Sequence, residues 1–257
     1  KKLKIIILTL PSLYLLSFNS TIHFYENFFA IPIILFSFIL FKKKKNLLGL
    51  LVFTLTFLVK EEFPLIGIGI GIWLFIEFKN TRYLLYSIFS VFAFYIITKL
   101  FMPYLADLSG HQSSLNFSRY EALGDSFKDI IIFIIFNPLK VLFGYFLFQK
   151  IIFFTFSLYP IFLLKNNFLS CFYVLFIPLF YSWISTGVEN SSNGYYGSNI
   201  LYLHFGIPIL SLIIGLFIFY QDKINREFIE KYFLKIIYLN LFTFLIFFFY
   251  SLRNLVF

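Results

Sequence analysis

Three charged residues stand together in the apolar first half of this chain, Lys60-Glu61-Glu62, with Pro64 just behind them. Neighbouring carboxylates in a partly dry site suit a general base or the binding of a divalent cation such as Mg or Mn. A solvated loop pair, with Lys60 as local counter-ion, is the plainer alternative. Upstream, His23 and Glu26 are three apart, so on a helix both side chains share one face. Downstream, Arg119-Tyr120 precedes Gly124-Asp125-Ser126, and an arginine there suits a phosphate or carboxylate. The same arginine could equally pair with Glu121 or Asp125. His204 follows a tyrosine-rich stretch that ends in Tyr202, with Pro208 one turn on. No HExxH or HxxxH spacing occurs, and no GxSxG, P-loop or kinase motif is present.

The elements that must position these groups are apolar helices. Leu47–Val59 and Phe63–Phe78 flank the charged triplet as runs of 13 and 16 residues. One straight helix over Leu47–Phe78 would be about 48 Å long, well beyond a hydrocarbon core of about 30 Å. A hairpin turning at Lys60–Pro64 fits better. Its arms fall short of the roughly 20 residues needed to cross, so the turn is expected slightly below the membrane surface. Charges tolerated at that depth need water or partner groups. The turn is therefore read as the floor of a polar cavity that opens away from the cytosol.

Composition supports that setting. Of 257 residues, 60% are apolar, 24% are aromatic and 13% are charged. A soluble domain carries about 25% charged residues. The expected fold is all-α: a polytopic helical bundle in the membrane, with about nine spans and one interfacial helix, forming a single domain over residues 1–257. The spans are Ile5–Phe18, Phe28–Phe41, Leu47–Val59, Phe63–Phe78, Leu84–Met102, Tyr145–Leu164, Phe168–Ile184, His204–Tyr220 and Ile236–Tyr250. Phe127–Leu139 is short, opens with Lys128 and Asp129 and ends at Asn137-Pro138, so it is expected to lie along the interface. The chain starts on Lys and is expected to be the later part of a longer protein.

The net charge of +9 is mainly a topology signal. With the N-terminus cytoplasmic, the inside loops hold 14 of the 21 basic residues, including Lys42–Lys45. Eight of the twelve acids and all three histidines fall outside. The long connections, Asn19–Asn27, Pro103–Ser126 and Ser185–Leu203, are external too. Chemistry is expected on the extracytoplasmic face, and nucleic acid is not an expected partner. The single cysteine, Cys171, sits mid-span and reads as a packed thiol. Gly67-Ile68-Gly69-Ile70-Gly71 has no preceding strand, which excludes a dinucleotide loop and leaves close helix packing.

The order of these pieces resembles the family known as domain of unknown function 2079, a group of prokaryotic membrane proteins placed with the GT-C glycosyltransferases. The likeness rests on His23–Glu26 opening a span, Val59-Lys60-Glu61-Glu62, the glycine-rich span after it, Arg119–Ser126, and Tyr202–His204–Pro208. It covers nearly all of the chain. His23-Phe24-Tyr25-Glu26 is one residue longer than the family's usual His-Pro-Glu. The resemblance implies a glycosyltransferase of the prokaryotic plasma membrane, using a polyprenyl-phosphate-linked sugar at the extracytoplasmic face of the cell envelope. Glu61 and Glu62 would then be catalytic, and Lys60, His23, Glu26, Arg119, Tyr120 and His204 would bind substrate. The family's acidic first external loop would lie upstream of Lys1. A transporter or flippase and a non-catalytic scaffold subunit are the rival readings. The near absence of charge at mid-span weighs against ion-coupled transport.

Overall fold

A computed structural model describes residues 27–109, 124, 127–143, 161, 164, 167–184 and 206–222. Among the described residues the chain is all-helical, with no strand. Helix α1 is Asn27–Lys42, and α2 is Asn46–Thr54, tightening into a 3₁₀ turn over Leu55–Leu58. Helix α3 is Phe63–Phe78 and α4 is Arg82–Ile96. Helix α4 runs through a π-turn, Ile97–Phe101, into α5, Met102–Ser109. Then come α6 (Phe127–Phe136), α7 (Pro138–Phe143), α8 (Phe168–Ile184) and α9 (Gly206–Tyr220).

Local chemistry sets several of these ends. Lys44 and Lys79 adopt left-handed backbone, with φ of 57° and 54°, and stop α1 and α3. The Lys79 N–H closes α3 on the Phe75 carbonyl at 2.8 Å. The Asn80 side-chain oxygen then accepts the Arg82 N–H at 3.0 Å, satisfying one of the free donors at the start of α4. Pro64 lies in the first turn of α3, where its missing N–H costs nothing.

Helix α3 is the hub. It buries Phe63, Ile66, Ile70, Trp73 and Leu74 together with Gly67, Gly69 and Gly71, so it is covered on all sides. It packs chiefly on α4 and α8, while α1 packs on α9 and α2. The two arms flanking the charged turn touch each other little; α2 leans on α1, and α3 leans on α4 and α8. Glycine makes this possible. A Cβ on Gly67 would lie 2.6 Å from the Ser90 hydroxyl and 2.9 Å from the Phe57 ring. On Gly71 it would meet the Ser87 side chain and the Tyr83 carbonyl, the latter at 2.8 Å. Gly69 faces the other way, onto the Tyr173 carbonyl of α8 at 2.8 Å. Close approach of small residues is the role expected of this run.

Among the described residues one helix, Arg82–Leu108, is long and apolar enough to cross a membrane. Phe29–Lys42, Asn46–Leu58, Phe63–Phe78, Phe168–Phe180 and Ser211–Tyr220 are apolar but shorter. The expected spans Ile5–Phe18 and Ile236–Tyr250, and all but two residues of Tyr145–Leu164, lie outside the described residues. The span expected at Leu84–Met102 extends to Ser109, because the π-turn lets the helix pass Pro103. The expected interfacial segment Phe127–Leu139 is divided at Asn137 between α6 and α7, since Pro138 cannot donate into a continuing helix.

Candidate functional site

Val59 and the charged triplet form the connection between the 3₁₀ turn and α3. The Val59 N–H bonds to the Thr56 carbonyl at 2.9 Å, and the Phe63 N–H bonds to the Lys60 carbonyl at 3.2 Å. Residues 59–62 are thus wound tightly enough to draw their side chains back against the helices. The Lys60 and Glu62 side chains are 8% and 5% exposed, with the ammonium 3.7 Å from a Glu62 oxygen. Glu61 is only partly covered. The two adjacent carboxylates therefore differ. Glu62 is held inside beside a cation, and Glu61 is the less covered of the two. The structure distinguishes two acids that are equivalent in sequence.

The turn is braced from α4. Phe57, in the 3₁₀ turn, stacks on Phe89 with ring centroids 6.2 Å apart and lies 6.4 Å from Tyr86. The Thr54 hydroxyl donates to the Leu50 carbonyl at 2.9 Å and shares a second hydrogen bond, 3.1 Å long, with the Tyr86 hydroxyl. At the far end of α2, the Asn46 amide donates to the Tyr83 hydroxyl at 2.7 Å.

Of the other residues singled out from sequence, His23, Glu26, Arg119, Tyr120 and His204 lie outside the described residues. Lys60, Glu61 and Glu62 are the part of the candidate site that the structure describes. Among the described residues, no three His, Cys, Asp or Glu side chains gather to hold a metal ion. A divalent cation takes about six oxygen ligands, and here one of two carboxylates already faces an ammonium group. The described turn alone does not fit a Mg or Mn site.

A second polar cluster, not picked out from sequence, lies at the opposite end of α3. The Trp73 indole N–H donates to the Tyr220 hydroxyl at 2.9 Å, and that hydroxyl donates to a Glu77 carboxylate oxygen at 2.8 Å. Trp73 is fully buried between Phe38 and Phe41 of α1 and Phe219 of α9, with centroids 4.9–5.8 Å apart. Lys42, next to Phe41, and Asp222, two residues past Tyr220, form an ion pair at 3.2 Å, with Asp222 largely exposed. This cluster ties α1, α3 and α9 together. Its sequence signal is a carboxylate at the end of an apolar helix, one turn from a tryptophan.

No known protein family, curated protein or solved structure matches this chain.

Proposed function

We propose that the protein is a polytopic membrane glycosyltransferase of GT-C type, moving a sugar from a polyprenyl-phosphate donor to an acceptor hydroxyl at the extracytoplasmic face of a prokaryotic plasma membrane. The observation that carries this reading is the turn at Lys60–Glu62: a buried acid–base pair beside a partly buried carboxylate, set into an apolar helical bundle. The membrane setting is supported by Arg82–Leu108, of whose most apolar window only 17% is buried. The core helix of a soluble protein would be mostly covered.

In this scheme the acceptor oxygen attacks the anomeric carbon, and the bond from that carbon to the phosphate oxygen breaks. The polyprenyl phosphate leaves with the bonding electron pair. Glu61, the less buried carboxylate, takes the acceptor proton as general base. Glu62 holds Lys60 in place, and Lys60 or Arg119 offers positive charge to the departing phosphate. His23, Glu26, Tyr120 and His204 complete the substrate contacts.

The test is to replace Glu61 and Glu62 by Gln, one at a time, in the full-length protein, and to analyse cell-envelope glycans in a strain lacking paralogues. Loss of one glycan with normal protein levels supports the reading. Unchanged glycans overturn it.

A further inference from the structure

Two short connections, residues 43–45 and 79–81, meet at one end of the bundle. The Asn46 amide, at the start of α2, donates to the Tyr83 hydroxyl, near the start of α4, at 2.7 Å. The Tyr83 ring also packs on Phe78, the last residue of α3, with centroids 6.0 Å apart. Left-handed backbone at Lys44 and Lys79 shapes both turns. Lys43, Lys44, Lys45, Lys79 and Arg82 are all exposed here. Among the described residues none of the five has an acidic partner. Helices α2 and α4 both start at this end, so their first N–H groups add to the positive potential. Like charges crowded into two adjoining turns repel one another, and an anion seated among them relieves that repulsion.

Two carboxylates stand at the same end, and both are engaged on the side of α9. Asp222 pairs with Lys42 at 3.2 Å, and Glu77 accepts the Tyr220 hydroxyl at 2.8 Å. The seam between α2 and α4 keeps its positive sign. Beside these cations the surface is apolar. Helix α2 exposes Leu47, Leu48 and Leu51, and α4 exposes Leu85 and Ile88. Each row begins within one turn of a cation, Lys45 on one helix and Arg82 on the other. A ligand that covers both kinds of surface is amphipathic, with an anionic head and an apolar tail. Arg82 is also the first residue of the helix long enough to cross a membrane, which sets the patch at headgroup height.

We propose that Lys43, Lys44, Lys45, Lys79 and Arg82 form one docking surface for anionic phospholipids of the surrounding bilayer. The headgroup phosphates bridge the two connections, and the acyl chains lie along the exposed leucines of α2 and α4. The surface rests on the membrane setting proposed above and is independent of the transfer reaction.

The full chain, purified in mild detergent, is titrated with phosphatidylglycerol and with phosphatidylcholine, and bound lipid is counted by native mass spectrometry. Phosphatidylglycerol is expected to be preferred by about fivefold for each cation that engages a phosphate. The double variants Lys43→Gln/Lys45→Gln and Lys79→Gln/Arg82→Gln should each lower that preference by about fivefold or more, because both connections hold the same lipids. Lys128→Gln/Lys140→Gln removes as much charge from α6 and α7 and should leave it intact. Equal binding of the two lipids by the parent, or an equal loss in the α6–α7 variant, overturns the docking surface. A loss from one connection alone overturns its being a single surface. Displacement of phosphatidylglycerol by inorganic phosphate at the same concentration overturns the assignment to a lipid. Retention of neither lipid overturns the membrane setting as well.

Discussion

Breaking the Lys60–Glu62 pair is expected to cost more than removing both of its members. At 3.7 Å and an effective dielectric near 20, the two charges attract by about 4 kcal/mol. Both side chains are nearly buried, so a single substitution leaves one charge without its counter-charge in a poorly solvated place. Losses of about 3–5 kcal/mol are typical of that situation. Lys60→Met and Glu62→Gln should each fall in this range. The double variant gives up the attraction together with the desolvation cost of both ions and strands no charge, so it should lie within about 1–2 kcal/mol of the parent. The coupling energy between the sites is then several kcal/mol, well above the few tenths found for independent positions. Reversible unfolding of the full chain in mixed detergent micelles, followed by circular dichroism, measures all four corners of the cycle. If the single costs are each below about 1 kcal/mol and simply add, the charges are solvated and the argument from burial fails.

Further outcomes follow from the packing. Gly71→Ala should destabilise by about 1–3 kcal/mol, because the new methyl meets the Tyr83 carbonyl as well as the Ser87 side chain and the backbone cannot step aside; the same unfolding assay reads it. Tyr220→Phe removes the acceptor of the buried Trp73 N–H and should cost about 1–3 kcal/mol, with a shift in indole emission. Lys79→Gly should be neutral or stabilising by up to about 1 kcal/mol, since it relieves a left-handed lysine at a helix end. For topology, Cys171 is buried and should resist maleimide in the folded protein. A cysteine placed at Lys43 is then expected to react with an impermeant maleimide only after the membrane is opened. Reaction in intact cells reverses the proposed orientation.

The helices were legible because apolar runs and their breakers are local signals. Phe63–Phe78 and Phe168–Ile184 were expected with the ends they have, and Phe28–Phe41 differs by one residue at each end. The close-packing role of Gly67, Gly69 and Gly71 was also legible, since an apolar helix rich in glycine has few other uses. The second half of Leu47–Val59 was not. Its 3₁₀ turn depends on how Phe57 and Thr54 meet Tyr86 and Phe89 from another helix. Nor did the sequence show the π-turn, although Pro103 hinted at a disturbance in the helix.

The apolar composition and the charges between runs determine by themselves that this chain is helical and where its charged turn falls. They treat Glu61 and Glu62 alike, because hydropathy records residue type and not surroundings. Only the assembled bundle buries Glu62 against Lys60 and leaves Glu61 less covered. It also joins Trp73 to Tyr220 across 147 residues. The physical reason is the same in each case: burial and hydrogen bonding depend on which helix faces which, and that choice is made by contacts between segments far apart in the chain.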